Sequence, residues 1–213
     1  MNFYKLDRIR KCFVYDNCDH DHVFCVAKSK VLLSAPHAVS QVRLGKQKPA
    51  EIGSLKTVLC LAEESGASYI VKTKNNVDDA NWDDESKYKH EVWNIVENNN
   101  IKYILDFHGL ASERDCDIDL GTNLGFNIEK DVKAFDWLVK ALTKAGFKVS
   151  IDQPFKAGNN TVSWSTKKRF DDVWACQIEV NTSITHRPEN FDKFKKMINV
   201  FVKFIKLIDG DGV

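Results

Sequence analysis

The sequence lacks three features that would place it in a well-defined class of proteins: a strong net charge, a long apolar run and a dense set of cysteines. Its 31 Lys and Arg residues nearly balance its 30 Asp and Glu residues, so the formal net charge is +1. This balance gives no electrostatic reason to expect nucleic acid or an anionic membrane as a partner. No stretch approaches the apolar length that a bilayer-spanning helix requires. We therefore expect a protein that binds neither nucleic acid nor a membrane.

The cysteines and the N-terminus point to a reducing compartment. The six cysteines are scattered along the chain, which is untypical of a disulfide scaffold at this size. The first residues, MNFYKLDRIRKC, mix charged and apolar side chains and contain no apolar core of a secretory signal. We therefore expect a cytoplasmic protein with reduced thiols.

The composition is sufficient for one well-packed domain. Hydrophobic residues make up 43% of the 213 residues, and this length fits a single α/β domain. No repeat, low-complexity tract or linker divides the chain, so we expect one domain over residues 1–213, in which residues 1–30 form a β-hairpin that extends the sheet. The patterns predict strands near residues 12–15, 23–26, 31–33, 68–72, 103–105, 118–120, 147–151 and 173–181, helices near 51–66, 87–98, 128–145 and 190–207, and loops at 41–49, 74–86 and 153–170.

Two histidines follow apolar runs that are typical of buried strands. His108 closes the segment Asp106-Phe107-His108 after the run at 103–105 and precedes a predicted turn at Gly109. His37 follows the run at 31–33, where Pro36 disfavours a helix. Open α/β sheets place their chemistry at the carboxyl edge of the strands. An Asp-x-His pair alone is more often structural, but on neighbouring parallel strands both imidazoles would meet above that edge.

Two glutamates are candidates to join these histidines. Glu51 lies at the front of the helix predicted at 51–66. It either complements the helix dipole or acts as a metal ligand, since two His and one Glu are an established catalytic zinc set. Glu179 interrupts the apolar strand at 173–181. A carboxylate there is costly unless it is paired or catalytic.

The cysteines allow two further interpretations. The segment CDHDHVFC could hold a second, structural zinc ion, although a solvated turn is the default because its spacing matches no known closed site. A thiol hydrolase is also possible, with Cys116 near His108 or Cys176 in the late strand as nucleophile. The residues of the possible zinc cluster are Cys18, His20, His22 and Cys25.

Four segments in order carry a resemblance to a known family. They are SAPHAVS, AEIGS, LDFHGLASERDCDIDLGTNLG and QIEVN, and DFHG followed by R-D-x-D-I-x-x-G-T is the most specific part. Together they resemble the N-formylglutamate amidohydrolase family, which is similar to zinc carboxypeptidases, aspartoacylases and poly-γ-glutamate hydrolases. From about Val31 to the C-terminal helix, the resemblance implies a three-layer αβα fold with a mixed, largely parallel sheet and helices on both faces.

The resemblance also implies one zinc ion and a general acid/base. His37 and His108 match the histidine ligands, and Glu179 matches the acid/base of the late strand. Carboxypeptidases and aspartoacylases carry the acidic ligand three residues after the first histidine, where this chain has Ser40. The poly-γ-glutamate-like branch would place it on the helix after the loop, where Glu51 lies. Asp106 would orient His108, as metal-bound histidines usually require.

The implied activity is zinc-dependent hydrolysis of an amide bond next to a carboxylate. Arg114, inside the most specific motif, and Arg43 or Lys46, after His37, are candidates to bind that carboxylate. Asn81 matches the Asn of a D-x-N-R pattern, but Trp82 stands in place of the Arg. The substrate class therefore extends from N-formyl or other N-acyl amino acids to γ-glutamyl and peptide-like amides. The alternative is a metal-free member of the fold that acts as a binding domain. The sequence does not indicate an oligomeric state.

Overall fold

The structure is a computed structural model that describes residues 20–210. A seven-stranded mixed sheet forms its centre, and a separate two-stranded hairpin precedes the first helix. The strands are β1 (His22–Cys25), β2 (Val31–Ala35), β3 (Gln41–Arg43), β4 (Lys46–Lys48), β5 (Ser68–Lys72), β6 (Tyr103–Leu110), β7 (Ile118–Gly121), β8 (Val149–Ile151) and β9 (Trp174–Asn181). The α-helices are α1 (Ile52–Ser65), α2 (Lys87–Asn98), α3 (Val132–Lys144), α4 (Val162–Arg169), α5 (Thr182–His186) and α6 (Phe191–Asp209), and short 3₁₀ helices cover Phe126–Asp131 and Pro188–Asn190.

The strand order of the large sheet is β1-β5-β2-β6-β9-β7-β8. The four central strands, β5, β2, β6 and β9, run parallel, whereas β1 is antiparallel to β5 and β7 is antiparallel to β9. The carboxyl ends of β2, β6 and β9 therefore lie at the same edge of the sheet. In the β6–β9 ladder His108 is the partner of Glu179, so two candidate site residues lie on adjacent strands.

Helices cover both faces of the sheet. Because alternate strand residues point to opposite faces, Leu33 and Phe107 pack with α1, α3 and α6, whereas Leu32 and Ile104 pack with α2 and the start of α4. Phe107 contacts Phe201 of α6 edge to face, with ring centroids 5.3 Å apart. These layers confirm the predicted three-layer αβα architecture with a mixed, mostly parallel sheet.

The predicted turn at Gly109 is wrong. Strand β6 continues to Leu110 and pairs with β9 over its whole length, from Tyr103 opposite Trp174 to Leu110 opposite Asn181. The polar Asp106 and His108 do not end the strand, because its backbone hydrogen bonds continue in the ladder. His108 therefore projects from within a strand, which fixes its backbone more firmly than a loop would.

Two predicted loops contain regular structure. Residues 41–49 include the β3–β4 hairpin, and residues 153–170 include helix α4. Thr161 caps α4 by accepting a hydrogen bond from the backbone N–H of Trp164 at 3.2 Å. The sparse apolar residues of α4 gave no periodic signal that would reveal it.

The predicted N-terminal hairpin falls only partly within the described residues. Its second predicted strand is confirmed as β1, which pairs with β5 at one edge of the sheet, while the strand predicted at residues 12–15 lies outside the described residues. No helix within residues 20–210 has both the length and the apolarity needed to span a bilayer.

Candidate active site

Three of the predicted site residues meet at the carboxyl edge of the sheet. His37 follows β2, Glu51 immediately precedes α1, and His108 lies within β6. The Glu51 carboxylate faces both histidines, at 3.0 Å from His37 Nδ1 and 3.2 Å from His108 Nδ1. The two Nδ1 atoms are 3.2 Å apart. Three side chains from three separate elements thus converge on one point.

The donor atoms of this trio fit a zinc ion. Metal–nitrogen distances of about 2.0–2.1 Å place the ligands of a tetrahedral zinc roughly 3.3 Å apart. The separations of 3.0–3.2 Å come close to that spacing. Within residues 20–210, His37, Glu51 and His108 are the only group of three potential ligands whose donor atoms converge in this way. The second predicted cluster includes Cys18, which lies outside the described residues, and stays a prediction.

Each histidine directs its other nitrogen to a buried carboxylate. His37 Nε2 lies 2.9 Å from Asp79 Oδ1, and His108 Nε2 lies 3.2 Å from Asp106 Oδ2. Both aspartates are fully buried. Such partners fix the ring orientation and the tautomer of a metal-binding histidine. Asp106 occupies the position that the sequence suggested, whereas the sequence analysis missed Asp79, although it belongs to the D-x-N pattern that singled out Asn81.

The backbone holds Glu51 beside the histidines. Its N–H donates a 2.8 Å hydrogen bond to the carbonyl of His37, and its Oε2 accepts one of 3.0 Å from the N–H of Gly109. A Cβ atom at Gly109 would lie 3.4 Å from the Glu51 Cβ, so the Gly109 backbone packs directly against the Glu51 side chain. The Glu51 side chain does not cap α1. This arrangement supports the ligand interpretation of Glu51 over a purely helix-capping one.

The ionisable groups of the trio shift one another's pKa values. Burial alone would lower the pKa of His37 and of His108, but the charge of Glu51 beside His37 and of Asp106 beside His108 raises both. Burial tends to raise the pKa of Glu51, but the two histidines lower it far below its ordinary range. Glu51 is therefore ionised, as a carboxylate ligand must be.

Glu179 lies beside the trio, and its pKa shifts in the opposite direction from that of Glu51. Its side chain is buried on β9, and burial raises its pKa to about 7, against the opposing charge of His108. Gln177 Nε2 donates a 2.8 Å hydrogen bond to Glu179 Oε1. A carboxyl group with a pKa near neutrality can both accept and return a proton, which is what a general acid/base needs.

Asn81 connects the histidine side of the site to helix α4. Its Oδ1 accepts a 2.9 Å hydrogen bond from the N–H of Val162, and its Nδ2 lies 2.9 Å from His108 Nε2. That nitrogen of His108 faces a donor on Asn81 and an acceptor on Asp106, and a single ring nitrogen can satisfy only one of them at a time. Asn81 is therefore placed to contact the site residues themselves.

The two predicted arginines lie in different surroundings. Arg43 lines the cavity above the trio, where its Nε donates to Asp79 Oδ2 at 2.8 Å and its guanidinium lies 5.1 Å from the centre of the Trp82 ring. Arg114 is exposed on the turn after β6 and does not line this cavity. The structure thus brings Arg43 to the site and leaves Arg114 apart from it. Lys46, the alternative to Arg43, is likewise exposed and outside the cavity lining.

The cavity above the trio has a basic and aromatic lining. It measures about 890 Å³ and also contains Glu179. Trp82 and Phe155 remain 45% and 42% exposed, so their rings are accessible. Sequence reasoning missed most of this lining, because its members come from loops with no periodic signal. The cations that line the cavity are Arg43, Lys48, Lys156 and Arg187.

The most specific sequence motif builds one wall of this cavity. Asp119, buried on β7, accepts hydrogen bonds of 3.1 Å from the N–H groups of Gln153 and Phe155 in the loop after β8. A Cβ atom at Gly121 would lie 2.8 Å from the Cβ of Ala157, so only glycine lets that loop approach β7. The motif therefore holds the backbone of the loop that carries Phe155 into the cavity.

Neither candidate thiol is placed to act as a nucleophile. Cys176 is fully buried within β9, and burial raises its pKa well above the ordinary value for a thiol. Cys116 is partly buried after the turn that follows β6 and does not line the cavity. A buried thiol with a raised pKa is inert. The geometry therefore favours the metal site over the thiol alternative.

Comparison with known proteins identifies the fold. No protein-family model matches the chain, and no curated protein matches its sequence. N-formylglutamate amidohydrolase from Ralstonia eutropha JMP134 is 13% identical with a TM-score of 0.60, over 91% of this chain and 99% of that one. A bacteriophage poly-γ-glutamate hydrolase is 12% identical with a TM-score of 0.54, over 92% and 91%. A metallo-carboxypeptidase from Burkholderia cenocepacia is 12% identical with a TM-score of 0.58, over 89% and 61%.

Identities this low establish a common fold and nothing finer. The structural relationship predicted from the DFHG and R-D-x-D-I-x-x-G-T segments is confirmed at that level. The chain has the α/β fold of N-formylglutamate amidohydrolase, poly-γ-glutamate hydrolase and the metallo-carboxypeptidases.

Proposed function

We propose that the protein is a zinc-dependent amidohydrolase that cleaves an amide bond next to a carboxylate. One observation carries the proposal. The donor atoms of His37, Glu51 and His108 converge at the floor of a cavity that also contains Glu179, whose pKa is near neutrality. A metal centre beside a general acid/base is the minimum that metal-assisted hydrolysis needs. The names of the structural neighbours describe hydrolases of the same kind.

His37, Glu51 and His108 would hold one zinc ion. Two imidazole nitrogens and one carboxylate are a ligand set typical of catalytic zinc, which keeps a further position open. When bound, the ion would activate a water molecule and polarise the scissile carbonyl. Asp79 and Asp106 would keep the two Nδ1 atoms directed at the ion, because each binds the opposite ring nitrogen.

Glu179 would move the protons of the reaction. Its carboxylate removes a proton from the attacking water and delivers it to the leaving nitrogen as the C–N bond breaks. A pKa near 7 suits both steps, since the group is neither too weak a base nor too weak an acid at neutral pH. The products are then a carboxylic acid and an amine.

The cavity lining would select the substrate. Arg43, Lys48, Lys156 and Arg187 surround the floor with positive charge, which suits a substrate that carries one or more carboxylates. A volume of about 890 Å³ exceeds the needs of a single formyl amino acid. We therefore include γ-glutamyl and peptide-like amides beside N-acyl and N-formyl amino acids. Arg114 stays a prediction from the sequence, because it lies outside this lining.

Metal analysis together with an amidase screen tests the proposal. We expect about one zinc ion per purified chain. Hydrolysis of N-acyl amino acids, γ-glutamyl peptides or ordinary peptides should stop on chelation and return when zinc is added. A protein that purifies without metal and is indifferent to EDTA and to added zinc would support the alternative of a binding domain with the same fold.

A further inference from the structure

We propose that Gln177 is a positioning residue that holds the carboxylate of Glu179 toward the reacting water. The inference rests on the proposed function and adds to it a residue outside the predicted set. Gln177 lies on β9 two residues before Glu179, so both side chains project from the same face of the strand. Its side chain is 3% exposed and lines the cavity. Its Nε2 donates to Glu179 Oε1 at 2.8 Å.

The orientation of the Gln177 amide follows from a chain of contacts that starts at a backbone group. The N–H of Val162, at the start of α4, can only donate, so the side-chain oxygen of Asn81 must face it at 2.9 Å. The amide nitrogen of Asn81 then points toward Gln177 Oε1, at 3.4 Å. This contact favours the orientation in which the oxygen of Gln177 faces Asn81 and its nitrogen faces Glu179.

Among the described residues, Gln177 is the one that donates a hydrogen bond to the carboxylate of Glu179. Without it, the side chain of a glutamate has several rotamers available inside a cavity of this size. A donor at 2.8 Å restricts these rotamers and keeps the second oxygen, Oε2, available for the water. Proton transfer requires a base at hydrogen-bonding distance from its target, so a loosened carboxylate costs rate and leaves substrate affinity intact.

Strand β9 supplies a matched control. Asn181 lies two residues after Glu179 on the same face, and its Nδ2 contacts only backbone carbonyls, with the shortest contact of 3.1 Å to Cys116. Gln177 and Asn181 are therefore two buried amides that flank the same glutamate at equal distance along the strand. Only Gln177 contacts the carboxylate. Replacing each of them in turn distinguishes the loss of a contact that positions the Glu179 carboxylate from a general loss of fold stability.

The kinetic test compares Gln177→Met with Asn181→Ala. Gln177→Met keeps the length of the side chain and removes the donor. We expect its kcat to fall about 10- to 50-fold, with KM changed less than about twofold and zinc content unchanged. Asn181→Ala should lower the melting temperature while kcat per folded molecule changes less than about threefold. A rise in KM without a fall in kcat, or equal losses of kcat in both variants, would overturn the proposal.

A spectroscopic test needs neither substrate nor metal. In the amide NMR spectrum of the metal-free protein, the side-chain NH₂ signals of Gln177 should exchange slowly and should move in Glu179→Gln. The same signals should stay in place in Asn181→Ala. Gln177 signals that exchange as fast as those of an exposed amide and ignore Glu179→Gln would exclude the contact. This result is independent of whether the protein hydrolyses amides, so it separates failure of the positioning role from failure of the proposed function.

Discussion

The floor of the cavity and its walls are built by different parts of the chain. The floor lies at the carboxyl edge of β2, β6 and β9, where strand pairing places His108 opposite Glu179. The walls come from the β3–β4 hairpin, the loop after β8 and the residues after α5. A strand fixes the position of its side chains through the ladder, whereas a loop depends on distant partners. The strand residues of the floor can therefore be predicted from local sequence patterns, whereas Glu51 and the walls depend on contacts between distant segments.

The largest effect is expected at the floor. His37→Ala removes one of the three proposed ligand atoms and leaves Asp79 and Glu51 without their shared partner. We expect the variant to lose its zinc and, with it, all measurable amidase activity. Elemental analysis of the dialysed protein measures the first effect and the amidase assay the second. A variant that keeps a full zinc ion would show that His37 is not a ligand.

Glu179→Gln separates the proton transfer from the metal. The substitution keeps the shape of the side chain and removes its basicity, so zinc content should stay the same while kcat falls about 10²- to 10⁴-fold. Metal content and kcat measured on one preparation check this prediction. Normal turnover in Glu179→Gln would mean that the acid/base is assigned to the wrong residue.

The variants Asp79→Asn and Asp106→Asn compare the two buried carboxylates behind the histidines. Asp106 was predicted from the sequence and Asp79 was not. Asp79 and Asp106 contact equivalent nitrogens of the two histidines. We expect about 10- to 100-fold weaker zinc binding in Asp79→Asn, and a similar loss in Asp106→Asn. Competition with a chelator of known affinity measures both. Unchanged zinc affinity in Asp79→Asn alone would show that only the His108 side needs a buried carboxylate.

Arg187→Ala tests whether the cations in the cavity walls bind the substrate. Arg187 lines the cavity, whereas Arg114 lies on an exposed turn outside it. Removing a cation that contacts a substrate carboxylate should raise KM about tenfold and leave kcat nearly unchanged. Arg114→Ala is the comparison. Steady-state kinetics of both variants shows whether the substrate carboxylate binds the cation that lines the cavity or the arginine of the sequence motif. A rise in KM confined to Arg114→Ala would favour the residue suggested by the sequence motif.

The last prediction concerns the free energy of unfolding of the metal-free protein. Folding raises the pKa of Glu179 from 4.5 to about 7, so its favourable contribution is complete below about 4.5 and is lost as the pH rises through 7. Glu179→Gln does not titrate and should gain stability relative to the wild type, up to about 3 kcal/mol above pH 7. Urea unfolding at pH 5 and pH 8 measures this gain. An equal difference at both pH values would contradict the raised pKa.

The floor of the site was largely accessible from the sequence. His37, His108 and Glu179 each follow or interrupt an apolar run, and such runs indicate buried strands. Glu51 was harder to assign, because its distance from His37 along the chain differs from the commoner spacing. A backbone hydrogen bond from Glu51 to His37 accounts for its placement, since it closes the intervening hairpin into a compact turn. No local pattern encodes that hydrogen bond.

The remaining site residues could not be predicted for physical reasons. Asp79 reaches His37 from a polar loop, 42 residues along the chain, and Gln177 looks like an ordinary polar residue in a strand until its contact with Glu179 is known. Helix α4 gave no apolar periodicity, although its first N–H orients Asn81. Long-range hydrogen bonds of this kind depend on the tertiary fold, which local propensity does not determine.

The loop after β8 is held from behind by Asp119 and by the close approach to Gly121. These contacts involve the backbone of Phe155 and leave the side chains of Phe155 and Lys156 exposed in the cavity. Evolution can therefore exchange these two side chains without rebuilding the loop or disturbing the proposed metal ligands. For protein engineers, a small library of variants at these two positions is expected to change substrate preference and to leave the proposed catalytic residues intact.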